Sequence, residues 1–148
     1  MFSLIITIIS IALVAALALA SIYYGGDAFT KGSDGAAAAR LINEGQQLQG
    51  ARTLVNAEGK LATVATVAGL ATNNYLSQVP ADWTTDATTP GNIDTGAFFT
   101  KPAGSASICN ELNKKAGFTP AEVTAGVTAL GTHVYGCITA DNKVQYKY

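Results

Sequence analysis

Few side chains in this sequence are of a type that does chemistry, and their spacing limits what they can do. The chain has two cysteines, Cys109 and Cys137, and a single histidine, His133. Two thiols and one imidazole fall short of the four ligands of a structural zinc site. Nucleophilic catalysis needs a Ser or Cys with a base and a group that orients the base, and no such motif surrounds His133. Asp82, Asp86 and Asp94 lack the spacing of an EF-hand loop and read as a solvated loop, with Trp83 among them as a packing anchor. These readings point away from an enzyme and imply neither cofactor nor metal. For the cysteines there remain a disulfide, favoured by the export-type apolar start of the chain, or two buried thiols. A Cys109–Cys137 bridge would close a loop of roughly 29 residues and stabilise by about 3 to 4 kcal/mol in the chain-entropy model.

The elements that must position these residues begin with the stretch from Met1 to Tyr24, which contains no ionisable side chain; the first is Asp27. As a helix it would be on the order of 36 Å long, enough to cross the hydrocarbon core of a bilayer. Ser3, Thr7 and Ser10 follow at i, i+4, i+7, with Ser21 near the same line, and mark one face. Ala12, Ala16 and Ala20 form a ladder of small residues on another, of the kind that lets helix backbones approach closely in an apolar medium. The segment reads as built to pack on other helices as well as on lipid. It has no basic residue before it and is longer than a signal-peptide core, so we read Met1 as the first residue left after removal of a leader rather than as a start codon.

Residues 25–35 change in character. Gly25, Gly26, Gly32 and Gly35, with Ser33 and Asp34, are poor helix formers, and a loose or locally broken helix is expected there, a hinge between anchor and domain. The globular part is expected over residues 36–148. Ala38, Leu41, Gly45, Leu48, Ala51 and Val55 recur at helical spacing and predict a half-buried helix with Arg40, Glu44, Gln47 and Arg52 outward, ending at Ala57 to Gly59. The Arg40–Glu44 pair at i, i+4 is worth about 0.2 to 0.5 kcal/mol. Periodicity over Lys60 to Leu76 is ambiguous and leans to helix. Residues 77–96, with Pro80, Pro90, Gly91 and Gly96, read as loop, and Ala97 to Lys101 as a short strand closed by Pro102.

Ser105 to Phe118 predicts a second amphipathic helix with Ile108, Cys109, Leu112 and Ala116 inward. Thr119-Pro120-Ala121-Glu122 is a capping box with proline at the first helical position, and announces a short helix to about Leu130. His133 is expected on the first arm of a terminal hairpin. Its second arm alternates Val144, Tyr146 and Tyr148 against Gln145 and Lys147 about an Asp141-Asn142 turn. The fold class is therefore α+β: a long N-terminal hydrophobic helix continuing into a small globular domain with a short antiparallel sheet and extra helices. The formal charge of −1 and the absence of any basic cluster beyond Lys114-Lys115 leave no nucleic-acid footprint.

This pattern resembles a type IV pilin of the type IVb kind. The residues that carry the likeness are the apolar start Met1-Phe2-Ser3-Leu4-Ile5, the Thr119-Pro120-Ala121-Glu122 box between the two cysteines, and the tail Asn142-Lys143-Val144-Gln145-Tyr146 after Cys137. The resemblance implies a prepilin cleaved by a prepilin peptidase at the inner membrane and N-methylated on Met1. A pilus assembly machinery would then build it with identical copies into a helical filament on the bacterial surface. It also implies that Cys109 and Cys137 are the disulfide of the C-terminal region. Ser3, Ile5, Thr7, Ser10, Ala12, Ala16 and Ala20 would lie in the filament core, with Gly25, Gly26, Gly32 and Gly35 as the hinge. The family usually has Glu at the fifth mature position, where this chain has Ile5. The major-pilin reading stands beside two others: a minor pilin or type II secretion pseudopilin, and a membrane-anchored periplasmic binding domain with Trp83, Phe98 and Phe99 lining a groove. Adhesion, DNA transfer, aggregation and motility all stay open as the use of the filament.

Overall fold

The computed structural model describes residues 2–86, 93 and 97–148. Pro90, Gly91, Asp94 and Gly96 of the expected loop, and Met1, lie outside the described residues. The chain divides into two compact units, 1–34 and 35–148.

Helix α1 (Phe2–Ala57) runs through both ranges. Of the loose or locally broken helix expected at 25–35, the break is not present: helical structure runs unbroken across all four glycines. A helical glycine costs about 1 kcal/mol relative to alanine, but extending an existing helix avoids the cost of a new nucleus, and Ala28 and Ala36 to Ala39 favour continuation. The helix ends as the sequence announces. Gly59, at φ +66°, donates to Asn56 O and Lys60 N–H donates to Val55 O, both at 3.0 Å, which is a Schellman cap.

In the second unit α1 is followed by α2 (Leu61–Val64), α3 (Val67–Thr72), β1 (Thr84–Thr85), β2 (Phe98–Pro102), α4 (Ala106–Ala116), α5 (Pro120–Ala125), β3 (Tyr135–Ile138) and β4 (Lys143–Lys147). The strands form one antiparallel sheet in the order β1-β2-β4-β3. The 60–76 stretch is helical, but as two short pieces. Thr66 interrupts it in an extended conformation and caps α3, its hydroxyl accepting from Gly69 N–H at 2.9 Å. Strand β1 falls where the sequence reads as loop; two residues are too few for an alternation to register.

Alternation sorts the sheet into two faces. Phe99 and Lys101 of β2, Val144 and Tyr146 of β4, and Tyr135 and Cys137 of β3 share one face, since the register pairs Phe99 with Tyr146 and Lys101 with Val144. The main core lies there, where Ala38, Leu41, Leu48, Ala51 and Val55 of α1 join Phe99, Val144, Tyr146, Leu112 and the two cysteines. A smaller cluster of Phe118, Val127 and Leu130, packed against Phe98 and Ile138, covers part of the opposite face. Gly136 admits it, because a Cβ there would lie 2.6 Å from Leu130 Cδ2 and 2.9 Å from Phe118 Cε2.

Helix α4 starts at its Ser105 cap and ends at Gly117 in the left-handed region, as its pattern predicts. The capping box forms at α5: Thr119 Oγ1 accepts from Glu122 N–H at 3.3 Å and Glu122 Oε2 accepts from Thr119 N–H at 2.7 Å. That helix stops at Ala125, short of the expected Leu130, because Gly126 turns out of helical conformation at φ +92° and Val127 O goes on to accept from Thr139 N–H at 3.0 Å. His133 precedes β3 rather than lying in it.

Candidate functional site

Every large hydrophobic residue from Phe2 to Tyr24 is exposed, from 53% at Ile5 to 85% at Phe2. The segment is one helix, long and apolar enough to cross a membrane. Its hydroxyls do not break the apolar character. Thr7 Oγ1 donates to Ser3 O at 2.8 Å, Ser10 Oγ to Ile6 O at 2.8 Å and Ser21 Oγ to Leu17 O at 2.9 Å. Each of these three protons is thus satisfied four residues back, within its own helix, the arrangement that lowers the cost of a hydroxyl in an apolar medium. Ala12, Ala16 and Ala20 lie exposed along the same helix. Ile5 presents only hydrocarbon. Met1, the position that the resemblance marks for methylation, lies outside the described residues.

The four glycines at 25, 26, 32 and 35 share one property. A Cβ built on any of them meets nothing within 4 Å. Thr30 Oγ1 donates to Gly26 O at 3.0 Å, closing one more side-chain bond within the turn. Among the described residues no packing requires glycine at these positions, although each lowers helix stability.

In the domain, Cys109 and Cys137 form a disulfide with Cα atoms 5.3 Å apart, joining α4 to β3, and both residues are fully buried. His133 is satisfied locally: Nδ1 lies 3.0 Å from Ala116 O and the ring stacks on Phe118 with centroids 3.9 Å apart. Asp86 holds the base of a loop, its Oδ1 accepting from Ala97 N–H and Phe98 N–H at 2.8 and 2.7 Å, while Asp82 is exposed. Among the described residues no group of three or more His, Cys, Asp or Glu is placed to hold a metal ion. The three aromatic residues considered for a ligand groove are not brought together as one wall. Trp83 and Phe99 are buried in the main core, whereas Phe98 packs against the smaller cluster.

Sequence reasoning missed the charged centre of the domain. Glu44 and Arg52, expected to face outward, are half-buried against the sheet side. Glu44 Oε2 accepts from Lys101 Nζ and from Trp83 Nε1, each at 2.8 Å, and Oε1 lies 3.1 Å from Arg40 Nε. Lys101 itself is buried in β2, with only 9% of its side chain exposed. Burial pushes the Glu44 carboxyl up, but hydrogen bonds from Lys101 and Trp83 and the charges of Lys101 and Arg40 outweigh it, and the net shift is downward. Arg52 Nε donates to Ile93 O at 2.9 Å, and its guanidinium lies 4.1 Å from the centre of the Tyr148 ring. Burial and the charge of Asp86 raise the Tyr148 phenol to about 12 against the opposing pull of Arg52. These groups fasten α1 to the sheet, and Arg40 and Lys101 also line a small cleft with Leu41, Pro102 and Ile108. Among the described residues, all the exposed large hydrophobic side chains but Leu54 and Val134 lie between Phe2 and Phe29. Against family models, curated proteins and solved structures, the chain finds no match.

Proposed function

We propose that this chain is a structural subunit, the major pilin of a type IVb-like pilus, which assembles with identical copies by bundling its N-terminal helices. One observation carries this reading: the exposed, charge-free helical surface from Phe2 to Tyr24, on which the hydroxyls of Thr7, Ser10 and Ser21 are satisfied within the helix. An apolar surface of this extent is not stable in water, and patches of this kind mark membrane or protein contacts. The same surface suits two environments in turn, the bilayer before assembly and a bundle of like helices after it. In the second, the Ala12, Ala16 and Ala20 ladder lets neighbouring backbones approach.

Ile5 gives this assembly a distinct electrostatic character. No carboxylate enters the apolar core, so no desolvation of that group opposes bundling, and the α-amino charge of a neighbour finds no partner at that position. The glycines at 25, 26, 32 and 35 act, in this reading, as the place where the helix yields during transfer from bilayer to filament. The domain fastened behind Glu44 and the disulfide forms the outer shell.

Negative-stain electron microscopy of material sheared from the producing cells, with mass spectrometry of the dominant subunit, tests the proposal. Thin filaments composed mainly of this chain are expected. Filaments containing it only in traces would make it a minor subunit, and a protein confined to membranes without filaments would overturn the assembly reading.

A further inference from the structure

The two edges of the sheet are closed in different ways. Strand β1 is only two residues long. At the other edge, the backbone of Cys137 in β3 is bound by a side chain: Asn113 Nδ2 donates to Cys137 O at 2.8 Å, and Cys137 N–H donates to Asn113 Oδ1 at 2.6 Å. Two residues on, and so on the same side of the strand, Thr139 N–H donates to Val127 O at 3.0 Å and the Thr139 hydroxyl donates to the same carbonyl at 3.2 Å. Asn113 and Cys137 are both fully buried, and the Cys109–Cys137 disulfide holds α4 against the strand one helical turn earlier.

A primary amide presents its carbonyl and one N–H side by side, as the N–H and C=O of a single strand residue are presented to a neighbouring strand, so an asparagine can supply the pair of bonds that such a strand would make. Helix α4 has no need of it. Asparagine is a mediocre helix former, and its burial is unfavourable unless its polar atoms find partners. The partners it finds are the two edge groups of Cys137.

We propose that Asn113 is a strand surrogate, which together with Val127 and the disulfide closes the β3 edge against strand addition by a second copy of this chain. An open edge presents unpaired donors and acceptors that template pairing with another molecule. The occupant excluded is the β3 edge of a like molecule, which would pair through the Cys137 groups. The inference does not depend on the filament reading, since it concerns the sheet edge and not the apolar helix.

The test uses the full chain in detergent with the disulfide intact, comparing wild type, Asn113→Ala and Asn113→Asp. Amide hydrogen exchange is read at Cys137, and at Gln145 as a control within the β3–β4 ladder. Infrared spectroscopy reads intermolecular antiparallel strands, which association through helices does not produce. In Asn113→Ala the Cys137 amide is expected to exchange at least about 100-fold faster than in wild type with Gln145 still protected, and intermolecular strands are expected to appear as detergent is diluted. When ionised, Asn113→Asp keeps an acceptor for Cys137 N–H but offers no donor to Cys137 O, so this variant is read at a pH at which its buried carboxyl is charged. Its Cys137 amide should stay protected, with intermolecular strands still above the wild-type level. Protected Gln145 with no gain of intermolecular strands in Asn113→Ala would overturn the proposal. If that variant also loses Gln145 protection, Asn113→Asp decides alone, and a wild-type infrared spectrum for it would overturn the proposal equally.

Discussion

Gly45 of α1 lies directly beneath the ring of Tyr146 in β4: a Cβ on residue 45 would fall 2.9 Å from Tyr146 Cγ, closer than any ordinary carbon contact. The helix reaches the sheet at this point because one side chain is missing. Elsewhere in a helix, replacing glycine by alanine stabilises by up to about 1 kcal/mol, so Gly45 separates packing from propensity.

Gly45→Ala is expected to destabilise the domain by about 1 to 3 kcal/mol through overpacking, despite the gain in helix propensity. Gly50→Ala, whose Cβ meets nothing within 4 Å, should stabilise it or leave it unchanged. Trp83, the only tryptophan, reports on the core in which it is buried, so denaturant unfolding followed by its fluorescence compares the two variants. Equal midpoints for both would contradict the close approach.

Glu44→Gln removes the counter-charge of buried Lys101 while keeping its shape. Leaving an ammonium buried without its partner is expected to cost about 3 kcal/mol, and adding Lys101→Met should restore much of that loss. The pH dependence has a definite sign. A carboxyl whose pKa is lowered on folding contributes stability above its ordinary value of 4.5, and that contribution disappears as pH falls through the lower folded value. Acid unfolding of wild type should therefore be steeper in this window than that of Glu44→Gln. Superimposable acid transitions would show that the pair does not form.

Reduction of the Cys109–Cys137 bridge is expected to lower domain stability by about 2 to 5 kcal/mol. Because Asn113 still binds the backbone of Cys137, the loss should be one of stability and not of sheet order. Guanidinium unfolding with and without reductant measures the first, and amide exchange at Gln145 the second. An unchanged midpoint would mean that the loop closed by the bridge is already ordered in the unfolded chain.

What the sequence announces and what it conceals follow from the range of the interactions. The inward face of α1 is legible residue by residue: Ala38, Leu41, Gly45, Leu48, Ala51 and Val55 are all buried, because a 3.6-residue period is a local property. The capping box at Thr119, the Gly59 cap and the Val144-Tyr146 alternation are local too. Glu44 is misread for the opposite reason. Beside Arg40 it resembles an ordinary surface pair, and the groups that draw it inward, Trp83 and Lys101, lie 39 and 57 residues away. Asn113 is hidden similarly, since nothing between Leu112 and Lys114 announces the contact that β3, 24 residues on, makes with it.

The helical glycines are a conflict of another kind, in which local preference opposes the structure adopted and no packing among the described residues explains the residue type. Such conflicts are expected at places where function sets the sequence. Replacing Gly25, Gly26, Gly32 and Gly35 together by alanine should stabilise this part of α1 by about 3 to 4 kcal/mol in total, at roughly 1 kcal/mol each. The domain core should be unaffected, because none of the added methyl groups comes within 4 Å of another side chain among the described residues. Amide exchange over residues 25–35 should slow, and the yield of sheared filaments should fall if the helix must yield there on leaving the bilayer. Slower exchange with a wild-type yield of filaments would remove the hinge from the proposed assembly while leaving the bundling helix in place. Unchanged exchange would mean that the glycines do not weaken this helix at all.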